Sequence, residues 1–157
     1  MPASSLKVGD RAPNFTLMDQ NGAPVSLADF AGSRVIVYFY PEAATPACTQ
    51  QACDFRDNLG SLALAGYVVL GISKDSVEHL ARFAATEGIA FRLLSDTDLS
   101  MHRKYDAYGP KSLYGKPYIG VRRSTFVVDE NGTILFAGYN VKAKGHVARL
   151  RKLFAIS

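Results

Sequence analysis

The sequence predicts an α/β fold: a central mixed β-sheet flanked by helices, with an N-terminal β-hairpin extension. Three observations carry this. Two runs, RVIVYFY at 34–40 and GYVVLGIS at 66–73, are nearly all apolar and rich in β-branched and aromatic residues, as strands covered on both faces are. Between them PACTQQACDFRDNLG has helical spacing, and strand, helix, strand in that order implies parallel pairing. Later, STFVVD (124–129) and TILFAGY (133–139) flank Asn131-Gly132, a hairpin signal that adds antiparallel strands. A chain of 157 residues is expected to form one domain with a substantial core.

The elements follow in chain order. FTLMD and PVSL flank Asn21-Gly22 and read as the N-terminal hairpin. After the first buried strand, Thr45-Pro46 starts a helix, with Thr as N-cap and Pro at the first helical position; Gly60 is expected to end it. Asp75 with Glu78 resembles a capping box opening a helix that carries Val77, Leu80 and Phe83 and stops near Gly88. FRLLS (91–95) reads as a short strand, and Asp96 as the cap of another short helix ending before Gly109. DAYGPKSLYGKPYIG (106–120), broken by Gly and Pro, reads as a long loop whose length suggests a functional or mobile role. The last helix starts near Gly145 and is expected to turn Val147, Leu150, Leu153 and Phe154 to one face.

Composition narrows the function classes. No apolar run approaches bilayer-spanning length, and MPASSLKVGD lacks the apolar stretch of a secretory signal, so a cytoplasmic protein is expected. Residues 1–100 carry 7 Lys and Arg against 11 Asp and Glu, a net −4; residues 101–157 carry 11 against 3, a net +8. Nucleic-acid binding is one reading of that asymmetry. The basic residues come singly or in pairs with no basic arm, which fits a solvated face or a docking surface for an acidic protein. There is no GxGxxG, Walker-type loop or GxSxG.

Only two cysteines occur, Cys48 and Cys53, too few for a disulfide framework. In a reducing compartment a close pair suggests redox chemistry or metal binding. Cys48 falls in the first helical turn, and positions 48, 52, 55 and 59 form its inward stripe. A thiol there meets unpaired N–H groups and the positive end of the helix dipole, both of which favour thiolate. For a thiol in general, lowering the pKa from about 8.5 to about 6 raises the thiolate fraction at pH 7 from about 3 % to about 90 %. Five helical residues carry the second thiol about 140° around the axis, with Cα atoms about 8.7 Å apart. A disulfide needs less than about 7 Å, so the pair can bond only if the helix unwinds. Two buried, inert thiols are the alternative reading. A metal site would need four ligands, and His79, His102 and His146 are scattered singly.

Pro41-x-x-x-Thr45-x-x-Cys48 resembles the active-site pattern of the peroxiredoxins. With Cys53 and DFRD following, the stretch is similar to the bacterioferritin-comigratory, or peroxiredoxin Q, branch. The likeness extends over GDRAPNFTL, RVIVYFYP, GISKD, LLSD and RSTFVVDENG, and so over nearly the whole chain. It implies a single thioredoxin-like domain over residues 1–157 and a thiol-dependent peroxidase. Cys48 would be the peroxidatic cysteine and Cys53 the resolving cysteine of an intramolecular disulfide. Thr45 would bond thiolate and peroxide, Pro41 would shield the pocket, and Arg123 would be the active-site arginine. Neighbours on a strand face opposite ways, so Arg122 would then be solvated.

Partners implied are a hydroperoxide and thioredoxin or a similar dithiol, with no metal, haem or flavin, no nucleic acid and no membrane. An intramolecular disulfide needs no dimer and excludes none. Ala47, Ala43-Ala44 and Gln51 depart from commoner residues of the branch; the effect of Gln51 has no sign without the geometry. A redox sensor using the same cysteines, and a non-catalytic thioredoxin-like domain, are the rival readings.

Overall fold

The computed structural model describes residues 5–157. Residues 1–4, part of the segment read for a leader, lie outside them. Among the described residues nine strands and five α-helices follow in this order: β1 (Thr16–Asp19), β2 (Pro24–Ser26), β3 (Arg34–Phe39), α1 (Pro46–Asp57), α2 (Leu59–Leu64), β4 (Tyr67–Ser73), α3 (Val77–Glu87), β5 (Arg92–Ser95), α4 (Ser100–Lys104), β6 (Tyr108–Leu113), β7 (Lys116–Val121), β8 (Ser124–Val128), β9 (Ile134–Gly138) and α5 (His146–Leu153). Seven strands form one mixed sheet in the order β2-β1-β5-β4-β3-β8-β9. β3 pairs parallel with β4 and antiparallel with β8, so the most apolar run is an interior strand. The N-terminal hairpin joins the sheet through antiparallel pairing of β1 with β5.

The period-two alternation of β3 divides the core. Ile36 and Tyr38 face a cluster holding Cys48, Phe55, Leu62, Leu80, Phe83, Val147 and Leu150, which brings α1, α2, α3 and α5 to one side. Val35, Val37 and Phe39 face the other cluster, with Phe15, Leu27, Tyr105 and Phe126. Helices therefore cover one face fully, while α4 and the N-terminal segment cover the second.

Four expectations are corrected. The first cysteine-bearing helix ends at Asp57, before Gly60, because the Asn58 amide donates to the Asp54 carbonyl at 2.7 Å and breaks the run; Gly60 lies within α2. α3 is capped by Ser76, whose hydroxyl accepts the His79 N–H at 3.2 Å, and Asp75 is turned elsewhere. The 106–120 segment is a two-stranded ribbon, β6 with β7, separate from the main sheet. Its Tyr114-Gly115 turn takes φ of 52° and 78°, the left-handed pair of a two-residue hairpin that Tyr-Gly does not announce. Leu153 is 55 % exposed. Six residues past Val147 is about 240° around the axis, so Phe154 completes the buried stripe, with its ring against Tyr67 and Phe136.

Candidate active site

β3 delivers the chain to a loop over 41–45 and then to α1, whose first turn holds Cys48. The register of β3 with β8 sets Phe39 opposite Ser124, so Arg123, just before β8, reaches the same end of the sheet. Its backbone is fixed there by the Val141 N–H, which donates to the Arg123 carbonyl at 2.9 Å. Cys48 is buried, and the Arg123 Nη2 donates to its Sγ at 3.2 Å. The other arm, Nη1, donates to Oε1 of the buried Gln51. The guanidinium is thus held by two residues one helical turn apart. A cation donating to sulfur is the arrangement that stabilises an anionic nucleophile.

Arg122, in the link between β7 and β8, points the opposite way. It is not merely solvated: Nη1 donates to the Asp106 carbonyl at 2.9 Å and lies 3.1 Å from its carboxylate, tying the base of the β6–β7 ribbon. Thr45 is the N-cap of α1 in extended conformation, yet its side chain makes no cap bond; its hydroxyl donates to the Glu42 carbonyl at 2.8 Å. Pro41 is half-buried at the start of the same loop.

Cys53 is unpaired, and more exposed than Cys48. Burial pushes its thiol pKa up; Arg56 opposes this, while Glu87, Asp57 and Asp54 add to it. The two sulfurs differ in their surroundings: Cys48 accepts a guanidinium N–H directly, while Cys53 has Arg56 and three carboxylates around it. Each histidine has its own partner: His79 with Asp75 at 2.9 Å, His102 with Asp96 at 2.6 Å, and His146 Nε2 with the Thr125 hydroxyl at 2.8 Å. Among the described residues no three His, Cys, Asp or Glu side chains gather as a metal-holding group. None of the described helices is long and apolar enough to cross a membrane.

His146, at the start of α5, gives a pH prediction. Burial, then Arg149 and Arg123, lower its pKa from 6.5 to about 4. Between those values the unfolded chain binds a proton that the folded chain refuses. Stability is full above pH 6.5 and falls as pH drops towards 4, by about 3 kcal/mol from this residue. Urea unfolding at pH 7 and pH 4.5 should show this loss, and His146→Gln should flatten it.

The AhpC/TSA family pattern matches residues 8–137, and a putative peroxiredoxin of Mycobacterium tuberculosis is 60 % identical over 147 residues, covering 94 % of each chain. The chain belongs to the AhpC/TSA family and is a peroxiredoxin. Such a protein is a thiol peroxidase, so the reading of the chain as a non-catalytic thioredoxin-like domain lapses. Escherichia coli peroxiredoxin Bcp is 49 % identical over 141 residues, covering 90 % of each chain. Among solved structures, a cysteine-to-serine mutant of Xanthomonas campestris peroxiredoxin Q superposes with a TM-score of 0.87 at 33 % identity, covering 99 % of this chain and 98 % of that one. The bacterioferritin comigratory protein of the same organism gives 0.84 at 35 % identity, covering 90 % of each. The mixed sheet and its helices are the thioredoxin-like fold of this bacterioferritin-comigratory branch of the peroxiredoxins.

For two residues the sequence reading did not find the role that the structure shows. Gln51 could have been found from its i+3 spacing to Cys48, which places both on one helix face. Asp75 was read as a cap, whereas Ser76 caps α3 and the Asp75 carboxylate binds Ala43, Ser73 and His79, which a capping pattern cannot show.

Proposed function

We propose that this peroxiredoxin reduces hydrogen peroxide and organic hydroperoxides through Cys48 and closes an intramolecular disulfide with Cys53. The observation that carries the reading is the Arg123 Nη2 to Cys48 Sγ contact of 3.2 Å in the first turn of α1. The Cys48 thiolate attacks one peroxide oxygen, the O–O bond breaks, and the departing oxygen leaves with a proton as water or alcohol. Sulfur is oxidised to sulfenic acid. Negative charge gathers on sulfur and both oxygens in the transition state, where a fixed guanidinium and free helix N–H groups stabilise it. Thr45 commits its proton to the Glu42 carbonyl, which leaves its lone pairs to accept a peroxide O–H. Pro41 shields the loop side of the pocket from water. The alkyl peroxide reduction named for the Xanthomonas relative supports organic substrates.

Cys53 then attacks the sulfenic sulfur, expelling water and forming the disulfide. α1 must unwind over about residues 46–56 for this, as the helical separation of the two thiols exceeds bonding range. A dithiol of thioredoxin type, itself oxidised, returns both cysteines to thiols by exchange. The reading sets the protein in the cytoplasm, where such dithiols are kept reduced.

The test is peroxide consumption with a thioredoxin system. Many turnovers per protein are expected, and none would overturn the reading. Cys53→Ser should oxidise once at an unchanged rate and then turn over with thioredoxin at least about 10-fold more slowly, because no intramolecular disulfide forms for the dithiol to exchange with and the Cys48 sulfenic acid stays buried in α1. Backbone amides over 46–56 should exchange faster in the disulfide form; equal exchange in both forms would contradict the unwinding step.

A further inference from the structure

Asp75 lies in the β4–α3 connection, and its carboxylate bonds both to its neighbours there and to a distant loop. Only 5 % of the side chain is exposed. Oδ2 accepts the backbone N–H of Ala43 at 2.8 Å, across 32 residues of sequence, and the Ser73 hydroxyl at 2.7 Å. Oδ1 faces His79 Nδ1 at 2.9 Å. The Asp75 carbonyl in turn accepts the Ser95 hydroxyl at 2.6 Å, which ties the connection to the end of β5. The carboxylate is therefore a fixed post with one bond reaching out to the loop at 41–45.

That loop needs a post. Ala44 takes φ of 69°, a left-handed conformation that a residue with a Cβ adopts only when its surroundings enforce it. Ala43, beside it, is buried, and the loop's internal tie is the Thr45 hydroxyl to the Glu42 carbonyl. The Asp75 bond to Ala43 fixes this strained turn to the sheet. Pro41 lies on one side of the anchored residue and Thr45 on the other, and α1 with Cys48 follows at once.

We infer that Asp75 is a positioning residue for peroxide reduction: its carboxylate, bound to the Ala43 amide, sets the loop that carries Pro41 and Thr45 against Cys48. It touches no reacting atom. The inference rests on the peroxidase reading above. Geometry, not charge, is what Asp75 supplies. Asparagine can keep its oxygen on Ala43 and Ser73 and turn its amide to His79. Glutamate keeps the charge but pushes the oxygen out by a methylene.

The experiment compares wild type, Asp75→Asn and Asp75→Glu by stopped-flow oxidation with hydrogen peroxide, with thermal unfolding as the check on folding. Displacing the loop should slow the second-order oxidation step of Asp75→Glu by about 10- to 100-fold, since a shift of about 1 Å at a reacting site can cost that much. Asp75→Asn should stay within about 3-fold. Disulfide closure after oxidation should keep its rate in both. The reverse pattern, with Glu active and Asn impaired, would overturn the inference, as would wild-type rates in both. Amide exchange of Ala43 in the reduced wild type reads the anchor without peroxide: slow exchange is required, and exchange at the rate of an open loop would refute it. A wild type that never oxidises would instead remove the peroxidase reading, leaving the Ala43 exchange to decide the anchor.

Discussion

Cys48→Ser is expected to abolish peroxide consumption, lowering the second-order rate by about 10⁴-fold or more, as loss of a nucleophile does. The serine hydroxyl holds its proton at neutral pH and has none of the soft sulfur's affinity for a peroxide oxygen. The fold should survive. Cys48 contributes a small buried side chain at the first turn of α1, and the packing of Ala52 and Phe55 behind it is untouched. The Arg123 guanidinium keeps Gln51 as a partner and gains a hydroxyl oxygen in place of sulfur. Peroxide consumption followed by absorbance, beside thermal unfolding, separates the two: activity gone, unfolding temperature within a few degrees of wild type. Residual turnover near the wild-type rate would move the nucleophile to Cys53 and dismantle the proposed roles.

The second large effect is expected at Arg123. Arg123→Met keeps much of the side-chain volume and removes the fork that joins Cys48 to Gln51. Removing one fixed donor to a developing anion costs about 10²–10³ in rate in enzymes generally. The same loss is expected here in the oxidation step measured by stopped flow. Arg123→Lys should recover only part of it, because an ammonium restores the charge but cannot hold Gln51 and sulfur in one plane. Arg122→Met is the control. Its contacts go to Asp106 and the ribbon, so peroxide reactivity should change little while the β6–β7 ribbon loosens. Equal loss in both variants would mean that general positive charge, and not the Arg123 geometry, governs the thiol.

Much of the fold was legible because its signals are local. The β-branched runs announced β3 and β4, Asn21-Gly22 and Asn131-Gly132 announced two hairpins, and Gly88 closed α3 in the left-handed conformation that favours glycine. The ribbon at 108–121 was missed since Pro110 and Pro117 look like breakers; both are tolerated in a two-stranded ribbon with open edges. Of the two neighbouring arginines the family resemblance singled out Arg123, and it is Arg123 whose guanidinium meets Cys48 while Arg122 meets Asp106. What sequence could not supply were bonds across the fold. That Asp75 reaches across to hold Ala43, that Gln51 holds Arg123, and that Asn58 stops α1 while accepting Arg151 at 2.5 Å all depend on elements brought together by the sheet.

The central claim is that Cys48 reacts and Cys53 resolves within one chain. The most direct measurement is intact mass with a free-thiol count on reduced protein after one equivalent of hydrogen peroxide, wild type beside Cys53→Ser. The account predicts that wild type loses both thiols and two hydrogens with no change in oligomer mass, and that Cys53→Ser gains one oxygen on Cys48. Two thiols surviving prolonged exposure, or a disulfide found only between two chains, would contradict it.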